Sequence, residues 1–202
     1  PDLSFFNFCK TLLEYYRDTE RVMHISGDNF QDGRKRGTGS YYPSQLAHIW
    51  GWATWRRAWQ KYDLNMHDYP VFLHQMGMMF PNKSDYNYWK RNFDLVYNNK
   101  KDTWDLQWQY AVFFYNGIAL HPNVNLVSNI GFNTSATHTV DNFHPLSNIP
   151  RGNLRNIIHP DNLEPDNAAD LYTLQKYLNP SKIIKGTYLI KRIIHNIYNR
   201  AK

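Results

Sequence analysis

The stretch "HIWGWATWRRAW", residues 48–59, holds four of the chain's seven tryptophans within twelve positions. Aromatic side chains at this density suit a buried seam, a platform on which sugars stack, or a membrane anchor. Helical spacing places Trp55 and Trp59 on one face of a helix that Thr54 can cap. These two tryptophans are therefore predicted to lie in the core.

The first half of the stretch reads differently. Trp50 and Trp52 flank Gly51 at the end of an extended segment. Strand alternation points both indoles to the same side. A wall of a pocket is expected there, and the glycine would permit close approach of the backbone.

Outward from this stretch, helical and extended patterns alternate along the chain. The expected helices cover residues 4–16, 55–62, 69–79, 84–98, 102–117, 166–178 and 181–199. The expected extended segments are 21–27, 40–51 and 118–131, and Pro43 argues for a bend or an edge position in the second. Residues 28–40 are polar and rich in glycine, which is typical of a mobile loop. The mixture predicts an α/β protein that is rich in helix and has a few short strands.

Charge and cysteine content indicate which partners and which cellular compartment to expect for the protein. The net charge is +6 and the pI about 9.3, which favours anionic partners. Cys9 is the only cysteine, so no intrachain disulfide can form and a cytoplasmic, reducing compartment is expected. The sequence holds no signal segment and no apolar run long enough to span a membrane. Nucleic acid is not an expected partner, because the basic residues are not interleaved with the aromatic ones.

The C-terminal part is expected to be an extension. Residues 141–165 are predicted to be a loop or linker, and residues 166–202 a basic, amphipathic helical extension. One stripe of the last helix carries Ile183, Ile190, Ile194 and Ile197. Such a helix can lie on the inner face of the cytoplasmic membrane or pack on its own domain.

Two carboxylates stand out among the candidate functional groups. Asp102 and Asp105 lie three residues apart at the start of a predicted helix, where the helix dipole favours a negative charge. A general base or ligand is one interpretation, and helix capping by Asp102 with plain solvation of Asp105 is the other. His138, in a run of small and polar residues, is either a metal ligand or a surface residue. Arg56 and Arg57 are expected to lie on a solvated face.

Three blocks carry a resemblance to a known family: "HIWGWATWRRAWQKYD", "DTWDLQWQYA" and "PNVNLVSNIGF" with "ATHT" after it. The chain resembles bacterial family 2-like glycosyltransferases of the GT-A fold, in the HlpA-like or nucleotide-diphospho-sugar transferase group. The likeness covers residues 1–140. In that family an acidic DXD motif precedes the segment that resembles "PDLSFFNFCKTLLEYY", and it holds a divalent metal. The chain begins at Pro1, so the resemblance implies the acceptor-side half of such an enzyme, and transfer is expected to depend on a half upstream of Pro1.

The resemblance also implies roles for single residues. Asp105 corresponds to the aspartate of the family's "ED" motif, the catalytic base of inverting enzymes, although Trp104 stands where glutamate is usual. His138 corresponds to a late histidine that completes the metal site for Mn²⁺ or Mg²⁺. The substrate-binding residues that we expect are Trp50, Gly51, Trp52, Thr54, Asp102 and Trp104.

Two functions compete at this point. The first is transfer of a sugar from a nucleotide-sugar donor to a glycan or lipid-linked acceptor, inverting, with Asp105 as general base. The second is a non-catalytic carbohydrate-binding or assembly module that uses the aromatic surface.

Overall fold

The computed structural model describes residues 3–129, 146 and 149–190. Its helices are α1 (Leu3–Tyr15), α2 (Arg56–Trp59), α3 (Tyr69–Met79), α4 (Lys83–Tyr97), α5 (Asp105–Phe114) and α6 (Asn167–Thr173). A π-helical turn, Leu174–Leu178, continues α6, and residues 182–190 are also helical. The strands are β1 (Val22–Ser26), β2 (Tyr41–Ser44), β3 (Trp52–Ala53) and β4 (Ile118–Pro122). The expected helix-rich α/β class is confirmed.

The four strands form one mixed sheet in the order β2–β4–β1–β3. β1 and β4 pair in parallel, and the outer strands pair antiparallel to them. Pro43 lies in β2 at the edge of the sheet, as expected of a residue without a backbone N–H to donate.

Both central strands, β1 and β4, are buried along their whole length, because helices cover the sheet. The apolar face of α1, with Phe8 and Leu12, packs against Val22 and Ile118 of the central strands. A separate cluster joins Met23 of β1 to Trp108 of α5. Residues 106–113 of α5 are all buried, so this helix lies in the interior between the sheet and the layer formed by α3 and α4.

Several local predictions about helix starts are wrong. Trp55, not Thr54, is the N-cap of α2, and the Thr54 hydroxyl donates to the carbonyl of Met23 at 2.6 Å. Trp104, not Asp102, is the N-cap of α5, and no side chain caps that helix. Each prediction rested on a short polar residue near a helix start, whereas tertiary contacts decided where the helix begins.

Burial also departs from expectation at two positions. Trp59 is 40% exposed and is not a core residue, because α2 is only four residues long. Arg57 is not solvated: its guanidinium donates to the carbonyls of Tyr16, Arg17 and Val22 at 2.8–2.9 Å.

The loop predicted over residues 28–40 begins in the interior. Asp28, Asn29, Phe30 and Gln31 are all buried. Gln31 donates to the carbonyl of Ala169 and to the hydroxyl of Thr173, so α6 covers this segment.

The predicted C-terminal helix was expected either to lie on a membrane or to pack on its own domain, and the structure describes residues 182–190 of it. Ile183 is 82% and Ile190 is 58% exposed, so packing on the domain does not occur at these two positions. Ile194 and Ile197 lie outside the described residues. Within the described ranges, no helix has the length and apolar character that crossing a bilayer requires.

Candidate functional site

A cleft of about 230 Å³ opens between helices α4 and α5 and the segments that follow β1 and β2. Its aromatic walls and its polar groups come from different elements. The aromatic residues are Phe30, Trp50, Tyr88 and Trp89, and the polar ones are Asp28, His48, Asp105 and Gln109. Concave sites with apolar walls and a few converging polar groups are the usual form of ligand sites.

One wall of the cleft is residues 45–50, here called the cleft loop. Gln109 of α5 holds it, because its side chain accepts from the N–H of Ala47 at 2.7 Å and donates to the carbonyl of Gln45 at 2.8 Å. Asp170 of α6 accepts from the N–H of Gln45 at 2.9 Å. Side chains from two helices thus replace the backbone partners that a strand would have supplied.

The sheet holds the cleft loop from its other side. His24 Nε2 and the Ser26 hydroxyl donate to the carbonyl of His48 at 2.8 and 3.1 Å. The indole N–H of Trp108 donates to His24 Nδ1 at 3.0 Å. These two bonds fix the neutral tautomer of His24, and burial lowers its pKa to about 3.

Of the two carboxylates that line the cleft, Asp28 is fully buried and Asp105 is the one with an exposed part. It is the first residue of α5 and partly buried, and the Thr103 hydroxyl donates to its Oδ1. Its negative charge helps to raise the pKa of Tyr62 and of Tyr88, after the larger effect of burial in each case. Asp105 therefore lies between the cleft and a second aromatic surface.

That second surface, here called the aromatic ladder, consists of Trp104, Trp52, Trp59 and Tyr62. Trp52 stacks on Trp104 with ring centroids 5.3 Å apart, and Trp59 stacks on Tyr62 at 4.6 Å. Trp104 is 39% exposed. The ladder presents aromatic faces to solvent next to Asp105.

Trp50 and Trp52 do not share one environment, contrary to the alternation of an extended segment. Trp50 packs edge-on against Phe30 in the cleft, whereas Trp52 stacks in the ladder. Gly51 between them has φ +61°, which turns the backbone. A Cβ at this position would lie 2.7 Å from Val127 Cγ1, so the glycine serves packing.

The other predicted site residues are not brought to the cleft. Thr54 is bound to Met23, and Asp102 is exposed and is not among the residues that line the cleft. His138 lies outside the described residues, so its role as a metal ligand stays a prediction.

Sequence reasoning missed a buried cluster beneath the cleft loop. Asp28, His48 and His121 each offer one ligand atom, and these atoms lie within 4.8 Å of one another. His48 Nδ1 lies 2.7 Å from Asp28 Oδ1, and His121 Nδ1 lies 4.0 Å from the same oxygen. Burial raises the pKa of Asp28 to about 7 and lowers those of both histidines to about 3.

A signal for part of this cluster was present in the sequence. Asp28 comes two residues after β1, and His121 lies near the end of β4, which runs parallel to it. Ligand sites of α/β sheets lie at the carboxyl ends of parallel strands. The pairing of these two segments was not readable from local patterns, so the two residues could not be joined.

Comparisons with known proteins give no relative from which a function could be assigned, so the functional argument rests on the geometry of the cleft. No protein-family model, no curated protein and no solved structure matches the chain.

Proposed function

We propose that this chain forms the acceptor side of a glycosyltransferase of the GT-A type, which moves a sugar from a nucleotide-sugar donor to a glycan or lipid-linked acceptor. The observation that supports this most is the position of Asp105, a partly buried carboxylate between the cleft and the aromatic ladder. Carboxylates beside aromatic faces suit sugars, whose hydroxyls need acceptors and whose C–H faces pack on rings.

In the proposed reaction, an acceptor hydroxyl oxygen attacks the anomeric carbon of the donor while the bond to the diphosphate breaks. Asp105 takes the hydroxyl proton, and attack from the opposite face inverts the anomeric centre. Thr103 orients the carboxylate by donating to Oδ1, which leaves Oδ2 for the acceptor. Trp50 and Tyr88 form walls against which the sugar ring can pack.

The resemblance implies Mn²⁺ or Mg²⁺ bound to the donor diphosphate. The cluster of Asp28, His48 and His121 does not fit that role, because its unpartnered ligand atoms are buried and two of its three donors are imidazoles, whereas Mg²⁺ prefers oxygen. No step of the proposed reaction passes through this cluster.

The test is a transfer assay with Asp105→Asn. The protein is incubated with labelled nucleotide sugars, Mn²⁺ and a panel of glycan acceptors. With the donor-side half that the resemblance implies also supplied, we expect labelled product from the unaltered chain and a loss of about 100-fold or more in Asp105→Asn, because general-base catalysis contributes roughly 10²–10⁴-fold.

Asp68→Asn is the matched control, since Asp68 is an exposed carboxylate at the start of α3 and is not among the residues that line the cleft. It should transfer as the unaltered chain does. Full transfer by Asp105→Asn would overturn the assignment of the base.

A second candidate is favoured by the exposure of the ladder. Trp59 is 40% and Trp104 is 39% exposed, and contiguous exposed apolar surface is typical of binding sites. A non-catalytic carbohydrate-binding module would use these faces alone. Calorimetry would establish this module if glycans bind without being transferred, and if binding is lost in Trp104→Ala and kept in Asp105→Asn. The same result would exclude the transferase. Neither transfer nor glycan binding would exclude both.

A further inference from the structure

The cluster of Asp28, His48 and His121 joins three separate parts of the chain. Asp28 follows β1, His48 belongs to the cleft loop, and His121 lies in β4. All three side chains are at least nine-tenths buried. Ionisable groups are rarely placed in an interior unless they bind each other fully or bind an ion.

Each of the three side chains has one buried polar atom without a hydrogen bond of normal geometry among the described residues, although the backbones of Trp50 and Asp28 lie near the Asp28 carboxyl and the His121 ring. These atoms are Asp28 Oδ2, His48 Nε2 and His121 Nδ1. Buried polar atoms in folded proteins are nearly always satisfied. Three unsatisfied atoms on three neighbouring side chains indicate that a ligand belongs there.

A hydrogen bond at the edge of the cluster orients one of its imidazoles in a way that suits binding of a cation. His121 Nε2 donates to the carbonyl of Leu46 at 2.6 Å, which leaves the lone pair of Nδ1 free. Metal-binding histidines are commonly oriented by such a bond from the other ring nitrogen to a carbonyl. Neutral imidazole with a lone pair on one ring nitrogen is the form that binds metals, and the bond to Leu46 leaves His121 Nδ1 in that state.

We propose that Asp28, His48 and His121 bind one Zn²⁺ ion, which ties the end of β1, the cleft loop and β4 together. Three protein ligands leave the fourth tetrahedral position of the zinc to a water molecule. Asp28 and His48 also line the cleft, so the ion would hold one wall of the cleft in place. Zinc binding itself is measured without any sugar transfer.

The donor set selects the metal. Two imidazoles and one carboxylate are typical zinc ligands, whereas Mg²⁺ and Ca²⁺ are bound by oxygen. Tetrahedral zinc ligands lie about 3.3 Å apart, and the cluster has its ligand atoms within 4.8 Å. His48 Nδ1 and Asp28 Oδ1, now 2.7 Å apart, would exchange their hydrogen bond for bonds to the ion, with the His48 proton carried on Nε2.

The test measures binding of Zn²⁺ alone to the chelator-treated protein, by competition with a chromophoric chelator and by metal analysis after gel filtration. We expect one zinc ion per chain and a melting temperature that rises with zinc. Asp28→Asn and His121→Gln should each weaken binding by about 100-fold or more, because a ligand is removed. His121→Gln keeps a donor for the carbonyl of Leu46, which limits damage to the fold.

His67→Gln is the matched control. His67 Nδ1 lies 3.0 Å from Asp63, so it forms another histidine–aspartate pair, but an exposed one. It should bind zinc as the unaltered chain does. Zinc binding that survives in the cluster variants, or that is lost in His67→Gln, would overturn the proposal.

A measurement on the unaltered chain covers the case in which the cluster variants fail to fold. X-ray absorption of the zinc-loaded protein should show two imidazoles and low-atomic-number ligands at about 2.0 Å. Failure of the chelator-treated chain to bind zinc, or a zinc shell with fewer than two imidazoles, would mean that the cluster is only a hydrogen-bonded or hydrated group.

Discussion

At the residue scale, Gly51 decides what the tryptophan-rich stretch becomes. Its positive φ separates the two indoles that flank it, so that Trp50 enters the cleft and Trp52 joins the aromatic ladder. A single change of backbone direction thus divides one aromatic run between two surfaces. Asp105 lies between these surfaces, and this position is the basis of the function proposed for it.

Arg57 supports a residue-scale prediction about stability. Its guanidinium donates to four carbonyls between the end of α1 and the start of β1, those of Tyr16, Arg17, Glu20 and Val22. The guanidinium carbon lies 4.7 Å from the centroid of the Trp55 ring. Arg57→Met should lower the free energy of unfolding by about 2 kcal/mol, because hydrogen bonds from a charged donor are lost. Urea denaturation measures the change.

Arg56→Met is the control for that experiment, since Arg56 is the exposed neighbour on the same short helix. It should change the stability by less than about 0.5 kcal/mol. Equal destabilisation by the two variants would show that the contacts of Arg57 do not hold α1 to β1.

At the scale of elements, the cleft loop depends on side chains from the sheet and from two helices. Its backbone is satisfied by Gln109 of α5, Asp170 of α6 and His24 of β1. This explains why polar residues lie inside β1 and inside the otherwise apolar α5. The position of the cleft wall therefore depends on how β1, α5 and α6 pack against one another.

Asp170 makes this support dependent on pH. Burial raises its pKa to about 6, despite hydrogen bonds from Ser44 and Gln45 that lower it. The unfolded chain releases this proton nearer the ordinary pKa of 3.8, so the folded chain holds more protons between pH 4 and 6. Stability from this group is therefore present below about pH 4 and is lost as pH rises through about 6.

The variant Asp170→Asn isolates this effect, because an amide does not titrate and still offers an acceptor to Gln45. We expect the unaltered chain to lose about 1–3 kcal/mol relative to Asp170→Asn between pH 4 and 7, given 1.36 kcal/mol per pKa unit. Denaturant unfolding at several pH values measures the difference. A difference that stays constant with pH, or grows in favour of the unaltered chain, would contradict the raised pKa.

At the scale of the whole molecule, two apolar clusters lie on the mixed sheet and a third lies on the far side of α5. α1 covers the sheet with one cluster, α5 with another, and α3 and α4 close over α5. α6 is attached to β2 through Asp170 and Ser44. The helix that follows, residues 182–190, exposes Ile183, Leu189 and Ile190 instead.

Removal of residues 181–202 tests the role of that helix. We expect the melting temperature to stay within about 2 °C, since the exposed isoleucines contribute little to packing. Cosedimentation with phosphatidylglycerol vesicles should fall in the shortened chain and in Ile183→Asp, because apolar and basic side chains bind anionic membranes together. A large drop in melting temperature, or vesicle binding that persists without these residues, would contradict this.

The amino-acid sequence predicts most of the long elements. The apolar spacing of α1 and of α4, and the buried run of β1, appear directly in their residues, because local periodicity and burial are properties of neighbouring positions. The edge position of Pro43 is likewise a consequence of its missing N–H. The helix-start position of Asp105 made it one of two candidate carboxylates, the family resemblance favoured it as the base, and its transfer chemistry stays a prediction.

Tertiary structure decided the rest, for a physical reason. The caps of α2 and α5, the burial of Asp28 and the exposure of Trp59 all depend on partners distant in the chain. Asp28 and His121 are 93 positions apart and meet because β1 and β4 pair in parallel. Local sequence patterns do not show which strands pair, so the cluster proposed to bind zinc could be identified only in the folded sheet.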